Sequence, residues 1–283
     1  MENHPAGKGS IKRGSLKGFR YFLNADGVFF SHSLSDILPQ LHRIPILFAR
    51  LKRPKKVFIQ HGVTAVTGLR KVDHYIRKNM AAANFIIVTS EVEKALIMKL
   101  GISEMRIKIA GFPIHDDASF CQWGKKILVF FTWQKTPTET EKSQEIANDS
   151  QILNLLRDHK YELIVHHHDM NPRQNYRISA DGIRSWDNDS LKKAIEEAHL
   201  LITDNSSVAW DFFYCGCDVI FYKPNSDSRV DLRKAGFHVA NKIQELSVLL
   251  ESAFHQQLPL TDTKRCFAFK DRKNCERVYN LIQ

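Results

Sequence analysis

The segment LLITDNSSVAWDFF, Leu200 to Phe213, sets an apolar run directly against Thr203-Asp204-Asn205-Ser206-Ser207, and a helical pattern follows at once. Open α/β sheets bind ligands at the carboxyl ends of their strands, and a helix N-terminus offers unpaired N–H groups and a positive dipole end to an anion. Two adjacent hydroxyls, Ser206 and Ser207, add donors at the same place, which is the chemistry a phosphate needs. The same residues have a structural use, because Asn205 or Ser206 can cap the helix. Both readings stand on this segment alone.

Histidines supply a second kind of chemistry. In YELIVHHHDM, strand alternation puts His166 and His168 on one face and His167 on the other. An HxH pair on a strand also suits a metal, but the hydrolase pattern HxHxDH needs Asp and His where this chain has Met170 and Asn171. No metal site is therefore expected, and histidine acting as a charged donor to phosphate is the preferred reading. In VFIQHGVTAVTG a strand delivers His61 into a turn opened by Gly62, a residue that lets backbone or ligand approach closely. An imidazole there can act as a general base at neutral pH or be an ordinary turn histidine.

Other signals are weaker. HRIPILFARLKRPKK is rich in Pro, Lys and Arg and suits an anionic surface or a solvated loop equally. AGKGS lacks the spacing of a P-loop and has no strand before it. The mixing of Arg with aromatics in GFRYF is too slight for a nucleic-acid platform, so no nucleic-acid partner is expected.

The elements that must carry these residues alternate short apolar runs with helical patterns, the signature of βαβ units around parallel sheets. Strands are expected at GVFFSH, KVFIQH, NFIIVTS and RIKIAG, and then at KKILVFFTW, YELIVHHH, LLIT and DVIFYK. Ser90 and Glu93 form a capping box for the helix in SEVEKALIMKLG. Further helices are expected near Gln151–His159, in SLKKAIEEAH, in SSVAWDFFYCG and in the closing DRKNCERVYNLIQ, with a charged loop from Gln134 to Ser150. The lobes are expected to meet near residue 119: 1–119 as a basic lobe and 120–283 as a second lobe that includes the closing helix.

A chain of 283 residues with 43% hydrophobic content can bury two medium cores. Its charge of +10 is unevenly placed: residues 1–80 hold 15 Lys and Arg against 4 Asp and Glu, whereas the rest hold 26 against 27. That basic lobe attracts phosphates on lipid or polymer, or is simply a solvated face. Five cysteines without paired spacing suit free thiols in a reducing compartment, with Cys215 and Cys217 as small apolar residues. No apolar run reaches the ~18 residues of a membrane span, and no apolar core follows the basic start. A cytoplasmic protein is expected.

In order and spacing, QHGV, VTSEVEKALIMKLGI, RIKIAGFPIHD, KKILVFFTW, ELIVHHHD, LLITDNSSVAWDF and FKDRKNCERV resemble the CDP-glycerol glycerophosphotransferases of teichoic acid and capsule synthesis. The resemblance runs from about Val28 to Gln283. It implies a GT-B-like fold: two facing Rossmann-like lobes with mainly parallel sheets, an acceptor-side N-lobe and a donor-binding C-lobe. It begins within what would be the N-lobe, so a shortened first lobe is expected.

The resemblance also implies residue roles. His61 and His168 match the family's two functional histidines, and His166 stands where the family tends to carry Arg or Lys. Thr203, Asp204, Ser206 and Ser207 match the phosphate-binding turn, with Asp211 on the helix behind it. Gly62, Gly111, Pro113, Asp116 and Thr132 match supporting positions. The chain departs from the family pattern at Phe131 and Gln134, at Asp169, at Ile114 and at Asn205.

The implied reaction moves glycerol phosphate, or a similar alditol phosphate, from a CDP-activated donor to a hydroxyl on a polymer or lipid-linked primer, releasing CMP. No cofactor is implied. The basic first lobe adds an anionic membrane surface as a candidate partner, so a cytoplasmic protein that can sit peripherally on the inner face of the membrane is expected. Two alternatives remain: a GT-B glycosyltransferase using a nucleotide sugar, and a non-catalytic module that binds anionic polymer.

Overall fold

Apolar runs buried on both faces build two separate sheets, as parallel strands covered on both sides require. The computed structural model describes residues 15–31, 54–60, 62–63, 77–78, 80–117, 124–133, 138–168, 171, 173–224, 226–259 and 266–283. His61 and most of the basic run HRIPILFARLKRPKK lie outside these residues. Contacts divide the chain into two units: Met1–His61, Val72–Asp116 and Asp271–Gln283 form the first, and Gly62–Lys71 and Asp117–Lys270 the second.

The first unit holds a four-stranded sheet in the order β1 (Gly27–Phe30), β2 (Lys55–Ile59), β3 (Phe85–Val88), β4 (Ile107–Ile109), parallel throughout. Val57, Ile86, Ile87 and Val88 are fully buried in its two central strands. Helix α1 (Leu16–Asn24) precedes β1, and α2 (Glu91–Lys99) connects β3 to β4. The expected capping box of α2 is only half made. Ser90 Oγ accepts from Glu93 N at 3.2 Å. The Glu93 carboxylate turns away from Ser90 and accepts from Thr89 N at 2.7 Å, Thr89 Oγ1 at 3.0 Å and Gln60 Nε2 at 2.8 Å. Burial pushes Glu93 up to about 7, with these hydrogen bonds acting in the opposite sense.

The closing helix, α8 (Asn274–Asn280), was expected with the second lobe but packs with the first unit. The physical reason is local. Asp116 receives the first amides of α8, Lys55 Nζ donates to Leu281 O at 3.4 Å, and Ile282 fills the space a side chain at Gly27 would occupy.

The second unit holds a seven-stranded sheet in the order β11-β10-β9-β5-β6-β7-β8. Its strands are β5 (Lys126–Val129), β6 (Glu162–Val165), β7 (Asn175–Ile178), β8 (Arg184–Asp187), β9 (Leu200–Thr203), β10 (Asp218–Tyr222) and β11 (His238–Ala240). Pairing is parallel except for β6–β7 and β7–β8. The antiparallel pair β7–β8 was not expected, although Asp181-Gly182 is a hairpin turn signal and Gly182 has a φ of +85°. Arg177 ties this edge together, reaching Asp187 at 2.9 Å, Glu197 at 2.8 Å and Asp189 at 3.0 Å.

Helices α3 (Thr138–Asn148), α4 (Ser150–His159), α5 (Leu191–Glu197), α6 (Val208–Cys215) and α7 (Ile243–Phe254) accompany this sheet. The stretch Gln134–Ser150, expected as a loop, thus carries α3. Trp210 anchors α6, its ring 5.6 Å from Phe213, 5.9 Å from Phe237 and 6.3 Å from Phe267. Fully burying an aromatic of this size is worth roughly 2 to 3 kcal/mol, which fixes where the start of α6 lies. Cys215, Cys266 and Cys275 form no disulfide, but Cys217 is disulfide-bonded, so the expectation of free thiols fails there.

Candidate active site

The chain order of the second sheet reverses at one place. From β5 the chain moves outward to β6, β7 and β8, then returns to lay β9 on the other side of β5 and continues to β10 and β11. The carboxyl ends of β5 and β9 therefore form a topological switch point, where open α/β sheets leave a crevice for ligands. Phe130, Phe131 and Thr132 leave one strand there, and Asp204 to Ser207 leave the other.

Asp204 binds the two ends to each other. It is fully buried, and its Oδ1 accepts from Thr132 N at 2.9 Å and from Asn205 N at 2.6 Å. Its Oδ2 pairs with Lys142 Nζ at 3.2 Å, and that ammonium also donates to Lys223 O at 3.0 Å. Thr203 Oγ1 donates to Phe130 O at 2.6 Å. Thr203 and Asp204, expected among the phosphate ligands, thus have their polar atoms engaged within the protein.

The hydroxyls of the turn are disposed differently. Ser206 Oγ accepts from Val208 N at 3.3 Å, whereas Ser207, the N-cap residue of α6, makes no side-chain capping bond. Of the two serines, Ser206 thus supports the turn with its oxygen, and Ser207 carries no capping bond. Gly62, which groups with the second unit, leaves no room for a side-chain carbon against Ser207 Cβ and Oγ. Asp211 stands one turn into α6. Burial first, and the Asp211 charge second, push the Cys215 thiol up to about 11.

His166 and His168 both neighbour Phe130, with ring centroids 6.1 and 6.3 Å away. His167 is buried and neighbours Tyr176 instead, at 6.3 Å, and burial lowers its pKa. His166 is buried, with Nδ1 2.9 Å from His167 O and Nε2 3.3 Å from Asp189 O. Its ring nitrogens are directed at backbone carbonyls. His168 stacks on Phe130 and has Trp133 at 6.5 Å.

Three residues of this region were absent from the expected site: Glu139, Lys142 and Asn171. Asn171 N donates to His168 O at 2.7 Å, and its side-chain amide donates to Glu139 Oε1 and, at 3.4 Å, to Thr140 Oγ1. The first turn of α3 is thereby clipped to the turn after His168. Burial raises the pKa of Glu139; the Asn171 hydrogen bond and the His168 charge oppose the rise, and the Asp204 charge adds to it. The spacing of Glu139 and Lys142 on one helical face was the sequence signal available.

Gly111, Pro113 and Asp116, expected to support the site, are found in the first unit where α8 docks. Asp116 Oδ1 and Oδ2 accept from Asn274 N at 2.9 Å and Cys275 N at 2.7 Å. Gly111 has a φ of +75°, and a side chain there would collide with the Asn274 amide. Pro113 O faces Cys275 Sγ at 3.8 Å.

Solved structures place this architecture. The wall teichoic acid polymerase TagF matches at a TM-score of 0.56 with 14% identity, covering 82% of this chain and 68% of that one. A TagF structure with CDPG matches at 0.64 with 13% identity, covering 96% and 75%. A putative UDP-N-acetylglucosamine 2-epimerase from Listeria monocytogenes matches at 0.59 with 12% identity, covering 92% and 74%. The chain shares their mixed α/β, GT-B-like fold class. By sequence it belongs to the CDP-glycerol:poly(glycerophosphate) glycerophosphotransferase family, whose model matches residues 1–283. It is 22% identical to the minor teichoic acid biosynthesis protein GgaB of Bacillus subtilis (strain 168) over 92% of this chain. The chain spans about a third of that relative's length, 32%.

Proposed function

We propose that the protein transfers glycerol phosphate, or a similar alditol phosphate, from a CDP-activated donor to a hydroxyl of a polymer or lipid-linked primer. The observation that carries the reading is the turn after β9: its carboxylate is committed inward, and the Ser207 hydroxyl is left at the N-terminus of α6 without a capping bond. Family membership and the TagF structure with CDPG support a cytidine donor.

In the reaction, the acceptor oxygen attacks the β-phosphorus in line and forms the new P–O bond. The bond from that phosphorus to the bridging oxygen breaks, and CMP leaves with its electron pair. His61 takes the hydroxyl proton, while His168, Ser206, Ser207 and the α6 dipole offset charge on the phosphates. No metal ion or other cofactor is required on this reading, because such transfer depends on positioning and electrostatics. Thr203 and Asp204 shape the turn, and His166 supports the site from beside Phe130, its ring nitrogens against backbone carbonyls.

The positive charge of the basic first unit draws the enzyme to an anionic surface. Leu16, Tyr21 and Leu23 are exposed on α1 beside Lys17 and Arg20, which supports contact with the cytoplasmic face of a membrane. Co-sedimentation with vesicles containing anionic lipid checks this, and binding that is indifferent to salt excludes it.

The deciding assay incubates the protein with CDP-alditols and nucleotide sugars, and follows both the nucleotide released and the bond formed. CMP release with a new phosphodiester is expected, and His168→Ala should lower it ~10²- to 10³-fold. A glycosidic product points to the sugar-transferring alternative. Unchanged transfer in both His61→Ala and His168→Ala removes the assigned roles.

A further inference from the structure

Two polar atoms at the switch point are buried and have no hydrogen-bond partner: Glu139 Oε2 and Thr132 Oγ1. Leaving such atoms unpaired is costly, and native proteins rarely do so without a reason. Both atoms belong to residues held firmly in place. Thr132 is fixed through its backbone N–H to Asp204 at 2.9 Å. Glu139 is fixed through Oε1, which accepts from the Asn171 amide, and Lys142 one turn further along α3 pairs with Asp204 at 3.2 Å. The two unpaired atoms are thus carried by the two elements that Asp204 joins, and Glu139 is close enough for its charge and that of Asp204 to repel.

We propose that Glu139 and Thr132 form a subsite for a vicinal diol within the donor site. The inference rests on the donor reading given above and names a part of the ligand that reading leaves open. The chemistry selects the ligand class. A carboxylate oxygen only accepts, and it repels the phosphates that Ser206 and Ser207 attract, so the partner of Oε2 is a donor without negative charge, a need that a hydroxyl meets. Thr132 Oγ1 both donates and accepts, which suits a second hydroxyl next to the first. A cation in place of the diol has little to hold it: Asp204 is already neutralised by Lys142, and the described residues contain no group of three His, Cys, Asp or Glu arranged for a metal. A CDP-alditol offers vicinal diols from two sources, the free hydroxyls of the glycerol and the 2′,3′-hydroxyls of the ribose.

The experiment measures binding by titration calorimetry, independent of turnover, for the wild type, Glu139→Gln and Thr132→Val. The ligands are CDP-glycerol, CDP and 2′-deoxy-CDP. Thr132→Val keeps the backbone bond to Asp204 and guards against a Glu139 variant that fails to fold. Glu139→Gln is expected to weaken the diol-bearing ligand ~10-fold or more, and Thr132→Val about 3- to 10-fold, as loss of a charged and a neutral hydrogen bond predicts. A ribose diol shows as equal weakening of CDP and CDP-glycerol with 2′-deoxy-CDP unaffected by the substitutions. A glycerol diol shows as weakening of CDP-glycerol alone. Wild-type affinities in both variants, or equal losses on all three ligands, overturn the subsite while leaving the donor reading intact. A wild type that binds none of the three overturns both.

Discussion

Two helix N-termini in this protein have an aspartate beside them, and they use it in opposite ways. At α8, Asp116 closes the helix: both carboxylate oxygens accept backbone amides of the first turn, from Asn274 and Cys275. At α6, Asp204 turns inward to Thr132, Asn205 and Lys142, and the N-cap Ser207 makes no side-chain capping bond. A carboxylate on the helix axis satisfies the dipole and repels any further anion, so α8 is finished as structure. Withdrawing the carboxylate and leaving hydroxyls keeps α6 receptive. The difference separates a docking joint from a candidate phosphate site.

The sharpest way to break this comparison is to remove the inward carboxylate. Asp204→Ala leaves the partly buried Lys142 without its counter-charge and frees Thr132 N, and breaking such a pair costs up to ~3 to 5 kcal/mol. Urea unfolding should register that loss; a cost below about 1 kcal/mol means that Asp204 does not hold the turn. Next in size, Ser207→Ala should lower CMP release ~10²-fold with little change in stability, as expected for a donor aimed at a ligand. Ser206→Ala should in addition cost about 1 kcal/mol, because its Oγ accepts from Val208 N. Stability losses in both variants with normal turnover would make α6 a second docking joint.

A third N-terminus, that of α2, extends the contrast to a buried acid. Glu93 is fully buried, and burial raises it to about 7. Its folded value lies above its unfolded one, so the native state binds this proton more tightly. Stability is then greatest below the unfolded pKa and falls as pH rises to about 7, by at most about 3 kcal/mol. Glu93→Gln should flatten that dependence in melting curves recorded between pH 5 and pH 8. An unchanged slope assigns the pH dependence to other groups.

How far these sites could be read in advance depends on what buries them. Strands β2, β3, β5, β6, β9 and β10 were legible because each is an apolar run, and LLITDNSS was legible because that run stops abruptly at hydroxyls. Helix α3 was not. Its sequence, TETEKSQEIAN, buries Glu139, Thr140 and Ser143 alongside Ile146 and Ala147, so hydrophobic periodicity, the main signal for a helix, is nearly absent. A helix that turns polar side chains inward at a crevice is hidden from pattern reading by the property that makes it of interest. His166 is a different case: two backbone carbonyls lie against its ring nitrogens, and backbone partners leave no trace in side-chain spacing. The placement of α8 was missed because Asp116 and Asn274 are far apart in sequence, and only the folded chain brings that carboxylate to those amides.

The smallest expected effect bears on that last joint. Asp116→Ala removes the acceptor of two amides, and loss of a helix cap of this kind costs about 1 to 2 kcal/mol. Cys275 is exposed and its amide can turn to water, whereas Asn274 is buried, which sets the cost between that of a surface cap and that of a buried orphan. Because Asp116 acts between two segments of the same unit, hydrogen exchange should speed up in α8 and along β1, where Ile282 packs over Gly27. Exchange in the turn after β9 should stay as it was, and so should affinity for CDP-glycerol. Should Asp116→Ala instead weaken donor binding with α8 still protected, Asp116 is a ligand-site residue, and the contrast between a closed and an open helix N-terminus does not hold.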